Sequence, residues 1–525
     1  MYRLNWVQLE YFRVSVACAV AAGVILMAVF WLLRRLNLEW RGIILQLSRF
    51  PRWLYFAFAL IVVFGPAPVP SAAEGAGTKP AAPKANASRD ATRAAEEKDH
   101  QHMLDLLGIK ELRPPASYSH ADSPYAANYD EAKANIYLNA PNPLVLKNGK
   151  PVTTAGMWWT ERRPEIVADF NRDIYGEAPA HLPKVSWKVI DTQDQTIGGV
   201  PAVYKRLIGH VDNAIDPAIT VNLKMLLVTP VHVSGPVPAI LELPFDDEFD
   251  PIWAGKVPVT SQGGGAPPAS PWQAQVLEKG WAYAMLSPTS FQADNGAGLD
   301  EGIIGLMDNG QPRNNPAEWG AIRAWAWGAS RALDYLETVK AIDRHQVGIA
   351  GHSRFGKTAL VAMAYDPRFA IAYINSSGEG GAKLYRHHYG EQISNLADRS
   401  EYHWFNGNFL RYGGPLNAGD LPVDANELIA LCAPRPVFIG AGNPTRQGDG
   451  WADPKGMFLA EAGASPVYEL LGEKGLGTTV WPPIGTLLDS GALAYREHPY
   501  GHTPAPDWPY FIEYASRYLH GPASR

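Results

Sequence analysis

The most constraining feature of this 525-residue chain is one short segment. Residues 347–360 read Val-Gly-Ile-Ala-Gly-His-Ser-Arg-Phe-Gly-Lys-Thr-Ala-Leu. An apolar, strand-like run ends in Gly351-His352-Ser353, and a helical pattern starts at once. Turning from strand to helix in so few residues strains the backbone and crowds it, so small residues must flank the turn. Such a turn lifts a serine hydroxyl above the end of a sheet, where it is free to attack a carbonyl. The usual spacing is G-x-S-x-G, and here the second glycine comes one place late, at Gly356. Two rival readings use the same residues. In one, Ser353 only caps the helix. In the other, Gly351, Gly356, Lys357 and Thr358 match a G-x-x-x-x-G-K-[ST] phosphate loop. No acidic strand motif for Mg²⁺ accompanies that match.

The surrounding pattern predicts one α/β domain. Helical spacing covers 161–175, with Ile166, Phe170 and Ile174 on one face. Strand-like runs follow at 184–190, 202–208, 221–228, 237–243 and 281–286. A long helical pattern spans 315–342, with Pro316 near its first turn and an apolar stripe from Trp319 to Leu336. Then strand and helix alternate: 346–351, 354–365, 369–376, 436–440, 455–462 and 507–519. Alternation implies a mostly parallel sheet wrapped by helices, a three-layer αβα sandwich whose first strands are antiparallel.

A nucleophilic serine needs a base, and the base needs an orienting carboxylate, in the chain order serine, acid, histidine. The base is expected on a loop before the last helix, where Glu497-His498-Pro499-Tyr500-Gly501-His502 lies. His502 follows a glycine and is preferred; His498 is read as a surface or supporting residue. The acid is expected after the strand at 436–440, which leaves Asp449 and Asp453. Asp453 precedes Pro454 and reads as a helix cap, so Asp449 is the better acid. Glu379, at the end of the strand after the elbow helix, is its rival.

Composition fits this reading. Gly (49) and Pro (44) are abundant, and there are 17 Trp and 23 Tyr, as in a loop-rich enzyme or binding protein. Net charge is −6, with no basic block outside the N-terminus, which argues against a nucleic-acid partner. The two cysteines are Cys18 and Cys432, and Cys18 lies in an apolar run, so no disulfide framework is expected. No CxxC or HExxH occurs; neither metal nor cofactor is expected.

The N-terminus reads as an export segment, 1–73. Residues 14–33 carry no charge and are long enough to span a bilayer. Residues 53–64 form a shorter apolar run that leads into Ser71-Ala72-Ala73, a secretory signal with cleavage near Ala73. Five arginines between the runs keep that loop cytoplasmic and send the chain beyond Phe64 across the membrane. Either two spans anchor the protein, or the mature chain begins near Glu74; the second reading is preferred. Residues 74–99 contain no Leu, Ile, Val or aromatic residue, so 74–105 is expected to be a disordered linker. The catalytic domain is then 106–525.

The segment Gly351-His-Ser-Arg-Phe-Gly-Lys357 resembles the G-[CH]-S-R-x-G-K elbow of glucuronoyl esterases, carbohydrate esterase family 15. The bacterial branch resembles the chain elsewhere too. These places are 319–328, Ser377-Gly-Glu-Gly-Gly381, His403-Trp404-Phe405, Ala433-Pro-Arg-Pro436, Trp451-Ala-Asp-Pro454 and Gly501-His502 before Asp507-Trp508. The likeness covers roughly 130–520.

The resemblance implies an α/β-hydrolase fold and hydrolysis of the ester between 4-O-methyl-glucuronic acid on glucuronoxylan and lignin alcohols. It implies that Arg354 joins backbone N–H groups in holding the oxyanion. It assigns Lys357, Trp451 and, more loosely, Glu401 to sugar contacts, and it marks Trp404 as a further substrate-binding candidate. Core packing is the competing role for Trp404 and Trp451. One departure stands out: many members carry the triad glutamate where this chain has Ser376, which returns the choice to Asp449. Rival functions are an acetylxylan or other carbohydrate esterase and a membrane-tethered, catalytically silent carbohydrate-binding protein. An exported, periplasmic or secreted monomer is expected.

Overall fold

The computed structural model describes residues 82–137, 140–258, 265–266 and 270–521. The export segment expected at 1–73 lies outside the described residues. Among the described residues no helix is long and apolar enough to cross a membrane.

The first three strands, β1 (Val185–Ile197), β2 (Val200–Val211) and β3 (Asn222–Pro230), are antiparallel. The centre of the sheet is parallel: β4 (Val237–Leu243), β5 (Ala282–Ser287), β6 (Ile342–His352), β7 (Ala372–Asn375), β8 (Val437–Ala441) and, further along the chain, Leu493–Glu497. The two-residue β9 (Leu487–Leu488) closes the far edge antiparallel to that last strand, β10 (Leu493–Glu497). All ten form one sheet in the order β1-β2-β3-β5-β4-β6-β7-β8-β10-β9, and β3 meets β5 antiparallel. This is the α/β-hydrolase arrangement, with an antiparallel start as expected.

The parallel strands are apolar on both faces because both are covered. Ile240, Ala350, Tyr373 and Phe438 enter one buried cluster, and their neighbours Leu241, Ile349, Ile374 and Ile439 enter the other. Five helices bear on the site: α1 (Ala82–Leu107), α2 (Ala321–Leu336), α3 (Arg354–Tyr365), α4 (Pro454–Leu470) and α5 (Trp508–Ala515). Helices α2 and α3 supply Trp325, Leu333 and Leu360 to one cluster; α5 supplies Trp508 and Phe511 to the other.

The expected helix at 315–342 is shorter. It begins after Gly320, whose backbone is extended, and ends at Leu336, because β6 already starts at Ile342. Strand β10 was not expected, since Leu-Ala-Tyr-Arg-Glu is too short and mixed to announce a buried strand. The expected linker 74–105 is overturned where it is described, from Ala82 on. Residues 82–107 are helical, which Ala, Glu, Lys and Arg favour intrinsically. Just past the polar stretch, His100, Met103 and Leu104 are buried against the body and dock the helix. A boundary at 106 therefore falls inside one contact unit, Ala81–Arg525.

Candidate active site

Ligands of open α/β sheets bind beyond the carboxyl ends of the strands. Ser353 follows β6, Ser376 follows β7, Gly442 and Asp449 follow β8, and His498 and His502 follow β10. Four neighbouring parallel strands thus deliver these side chains to one edge.

Ser353 has φ 56° and ψ −128°, a strained conformation for a residue with a β-carbon. The strain persists because the turn is clamped. Its N–H donates to the Asn375 carbonyl at 2.9 Å, across to the end of β7. A β-carbon at Gly351 would lie 2.2 Å from the Phe355 carbonyl oxygen, and one at Gly356 would lie 3.0 Å from that of Asn375. The late second glycine thus sits where α3 approaches β7 closely enough to favour a residue without a β-carbon. The Ser353 side chain makes no capping bond to α3, which disfavours the capping role. The phosphate-loop reading also fails, because Lys357 is buried and paired 3.2 Å from Glu391 Oε2.

His502 Nδ1 lies 2.8 Å from Asp449 Oδ1, and the imidazole is partly exposed while the carboxylate is fully buried. The other oxygen, Asp449 Oδ2, accepts the Gly442 N–H at 2.9 Å and the Ser376 hydroxyl. Ser376, at the position where the resemblance leads one to expect a glutamate, therefore serves the Asp449 carboxylate. The loop carrying His502 is braced by His498, which is buried rather than on the surface. Its Nε2 lies 2.9 Å from the Thr503 carbonyl and its Nδ1 accepts the Tyr500 N–H, a neutral tautomer that burial favours. The Trp451 ring lies 4.7 Å from that of His502, and the His352 ring 4.2 Å.

The rival acids are engaged elsewhere. Asp453 caps α4 by accepting the Gly456 N–H at 2.8 Å and bonds His387 Nδ1 at 2.6 Å. Glu379 is fully buried against the Lys383 ammonium, and burial, only partly opposed by Lys383, pushes it up to about 8. Neither rival bonds a ring nitrogen of His502 or His498.

Arg354 opens α3 beside the serine. Its Nη1 pairs with Asp294 Oδ2, and its guanidinium stands 5.2 Å over Trp404 and 5.4 Å over Phe245. Asp294 also accepts Trp404 Nε1 at 2.7 Å and lies 3.0 Å from His403 Nε2. Burial alone would raise this carboxyl; the bonds and charges of His403, Arg354 and Trp404 hold it well below the usual range. Trp404 is only 5% exposed, with Arg354 and Lys357 against its ring, so it packs behind the cations.

Beyond Lys357 lie Glu391 and Glu401. Glu391 Oε2 accepts both Lys357 Nζ and the Glu379 N–H. Glu401 Oε2 is buried without a partner, and burial with the nearby Glu391 charge pushes its carboxyl up to about 8. Trp451 is half-buried, 5.9 Å from Tyr118. Asp294, Glu391 and Tyr118 were missed by sequence reasoning. Each lies in an irregular segment, and nothing local ties it to the elbow.

Among known proteins, the family model for fungal glucuronyl esterases matches residues 313–472. A prokaryotic protein of unknown organism, carbohydrate esterase MZ0003, is 34% identical over 76% of this chain and 94% of its own length. A CE15 glucuronoyl esterase structure from Teredinibacter turnerae is 43% identical, with a TM-score of 0.73 over 80% of this chain and 99% of that one. One from Solibacter usitatus is 36% identical, with a TM-score of 0.63 over 74% and 99%. With the elbow and its edge of the sheet as described, these likenesses identify the chain as a carboxylic ester hydrolase that belongs to the glucuronoyl esterases of carbohydrate esterase family 15.

Proposed function

We propose that Ser353, His502 and Asp449 form the triad that hydrolyses esters of 4-O-methyl-glucuronic acid on glucuronoxylan, with a lignin alcohol as the leaving group. Curated relatives carry the name 4-O-methyl-glucuronoyl methylesterase, including one from Wolfiporia cocos that is 37% identical over 29% of this chain and 38% of its own. The carrying observation is the 2.8 Å bond from His502 Nδ1 to Asp449 Oδ1. It leaves Nε2 of the same ring as the nitrogen for the serine.

In this reading His502 takes the Ser353 proton as Oγ attacks the ester carbonyl carbon. Arg354, fixed by Asp294, and backbone N–H groups stabilise the oxyanion. The C–O bond to the alcohol breaks, and the alcohol leaves with the proton from His502. Water, deprotonated by the same imidazole, then attacks the acyl carbon and releases the uronic acid and Ser353. Glu401 and Trp451 flank the sugar side, the buried Lys357–Glu391 pair stands behind Glu401, and Trp404 backs the cations. We take the protein to be exported, a reading supported by the apolar runs at 14–33 and 53–64 and the Ser71-Ala72-Ala73 that follows them.

The test is turnover of benzyl glucuronate against 4-nitrophenyl acetate. Ser353→Ala is expected to slow the glucuronate by about 10⁴-fold or more. Parent-like turnover by that variant, or a clear preference for acetate, would overturn the reading.

A further inference from the structure

Helix α1 docks on the segments that hold Asp294, and Asp294 holds Arg354. Tyr402, His403 and Trp404 form one 3-10 turn, and the last two hold Asp294 Oδ1. Tyr402 also presses on the segment that contains Asp294 itself, since a β-carbon on Gly296 would lie 2.3 Å from its hydroxyl oxygen. Tyr402 thus braces both sides of the Arg354–Asp294 pair.

Helix α1 holds Tyr402 in turn. The Tyr402 hydroxyl donates to Asp99 Oδ2 at 2.7 Å, and the His100 ring lies 4.6 Å from the phenol ring. Asp99 Oδ2 also lies 3.5 Å from Nη2 of the buried Arg313, which donates through Nη1 to the Phe405 carbonyl at 3.2 Å. His100 Nε2 lies 3.0 Å from the Ala397 carbonyl, and Met103 fills the space beside Gly407. The last turns of α1 therefore fasten the 397–407 stretch from behind.

We propose that Asp99 is a positioning residue for ester hydrolysis: through Tyr402 it fixes the Asp294 carboxylate, and with it the Arg354 guanidinium, where oxyanion charge develops. This rests on the reading of Arg354 as the oxyanion cation. A small displacement of a preorganised charge is enough to slow the chemical step while leaving sugar contacts in place.

The experiment is steady-state turnover of benzyl glucuronate by the full chain, well below its melting temperature. Asp99→Ala is expected to lower kcat by about 10-fold with KM changed less than about twofold. Tyr402→Phe, which removes a single hydroxyl and keeps the ring, is expected to do the same. Asp99→Asn keeps an acceptor for Tyr402 and is expected to recover most of the rate. In an Arg354→Ala background, Asp99→Ala is expected to have no further effect on kcat, because the group it positions is gone. Unchanged kcat in both Asp99→Ala and Tyr402→Phe overturns the proposal while leaving the triad standing. So does a kcat loss that persists in full without Arg354. If Arg354→Ala alone leaves kcat unchanged, the oxyanion reading fails first and takes this one with it.

Discussion

At the residue scale, the bond from His502 Nδ1 to Asp449 Oδ1 and the pairing of Arg354 with Asp294 join residues far apart in the sequence. Ser353, Arg354 and Lys357 share one motif; its strand–turn–helix context marked the serine, while the roles expected of Arg354 and Lys357 came from the family resemblance. His502 and Asp449 were expected from chain order, and they meet at hydrogen-bond distance because the strands that carry them, β10 and β8, are neighbours. Asp294 had no signal of its own. It follows β5 in an irregular loop and gains its role only by meeting His403, Trp404 and Arg354. Replacing Asp294 by Ala leaves the guanidinium without its anchor, and kcat for benzyl glucuronate is expected to fall about 10- to 100-fold. Glu401 invites a second measurement. With its carboxyl pushed up to about 8, it keeps its proton further into the neutral range than a free glutamate does, and in that form it can donate a hydrogen bond. KM is expected to rise as pH passes upward through about 8. In Glu401→Gln, which keeps a donor at all pH, that rise is expected to vanish while KM near neutrality changes little. A KM profile unaltered by this substitution contradicts the neutral donor.

At the scale of elements, the strand–turn–helix unit of β6 and α3 was readable because its constraints are steric and short-range. Gly351→Ala places a β-carbon 2.2 Å from the Phe355 carbonyl oxygen, with backbone on that side and nothing able to rotate away. The substitution is expected to cost about 2–4 kcal/mol, read as a lower denaturant midpoint. Element α1 was misread for the opposite reason. Its polar first turns cannot fold a domain, but Met103 and Leu104 at its far end dock it, and a helix once docked propagates through Ala, Glu and Lys. Strand β10 was hidden because a five-residue buried strand reads like a buried turn until its partner β8 is known.

At the scale of the whole molecule, burial of acids sets the response to pH. Glu379 and Glu401 are pushed up to about 8, and Glu427, Glu497 and Asp507 to about 7, chiefly by burial. A carboxyl with a raised native pKa binds its proton more tightly when folded than when unfolded. The folded chain therefore carries more protons between about pH 4, where unfolded carboxyls titrate, and about pH 8, so stability falls as pH rises through that window. Asp294 acts in the opposite sense, but only in acid, where its stabilising charge is lost as pH falls below the unfolded value. Buried neutral histidines such as His498 and His352 act against this trend below about pH 6.5, so the thermal midpoint is expected to be higher near pH 6.5 than near pH 8 by a few degrees. Glu379→Gln is expected to flatten that profile, and an unchanged slope in this variant shows that Lys383 keeps the carboxylate ionised throughout.

The contact between the Ser376 hydroxyl and Asp449 limits what position 376 can hold. The ends of β7 and β8 lie side by side, and both reach the same carboxylate-binding corner under the histidine. A negative charge introduced on the first strand end would meet the space already polarised for the one on the second. Two carboxylates cannot share that corner fully ionised, so a glutamate in place of Ser376 would compete with Asp449 for the same donors rather than add to it.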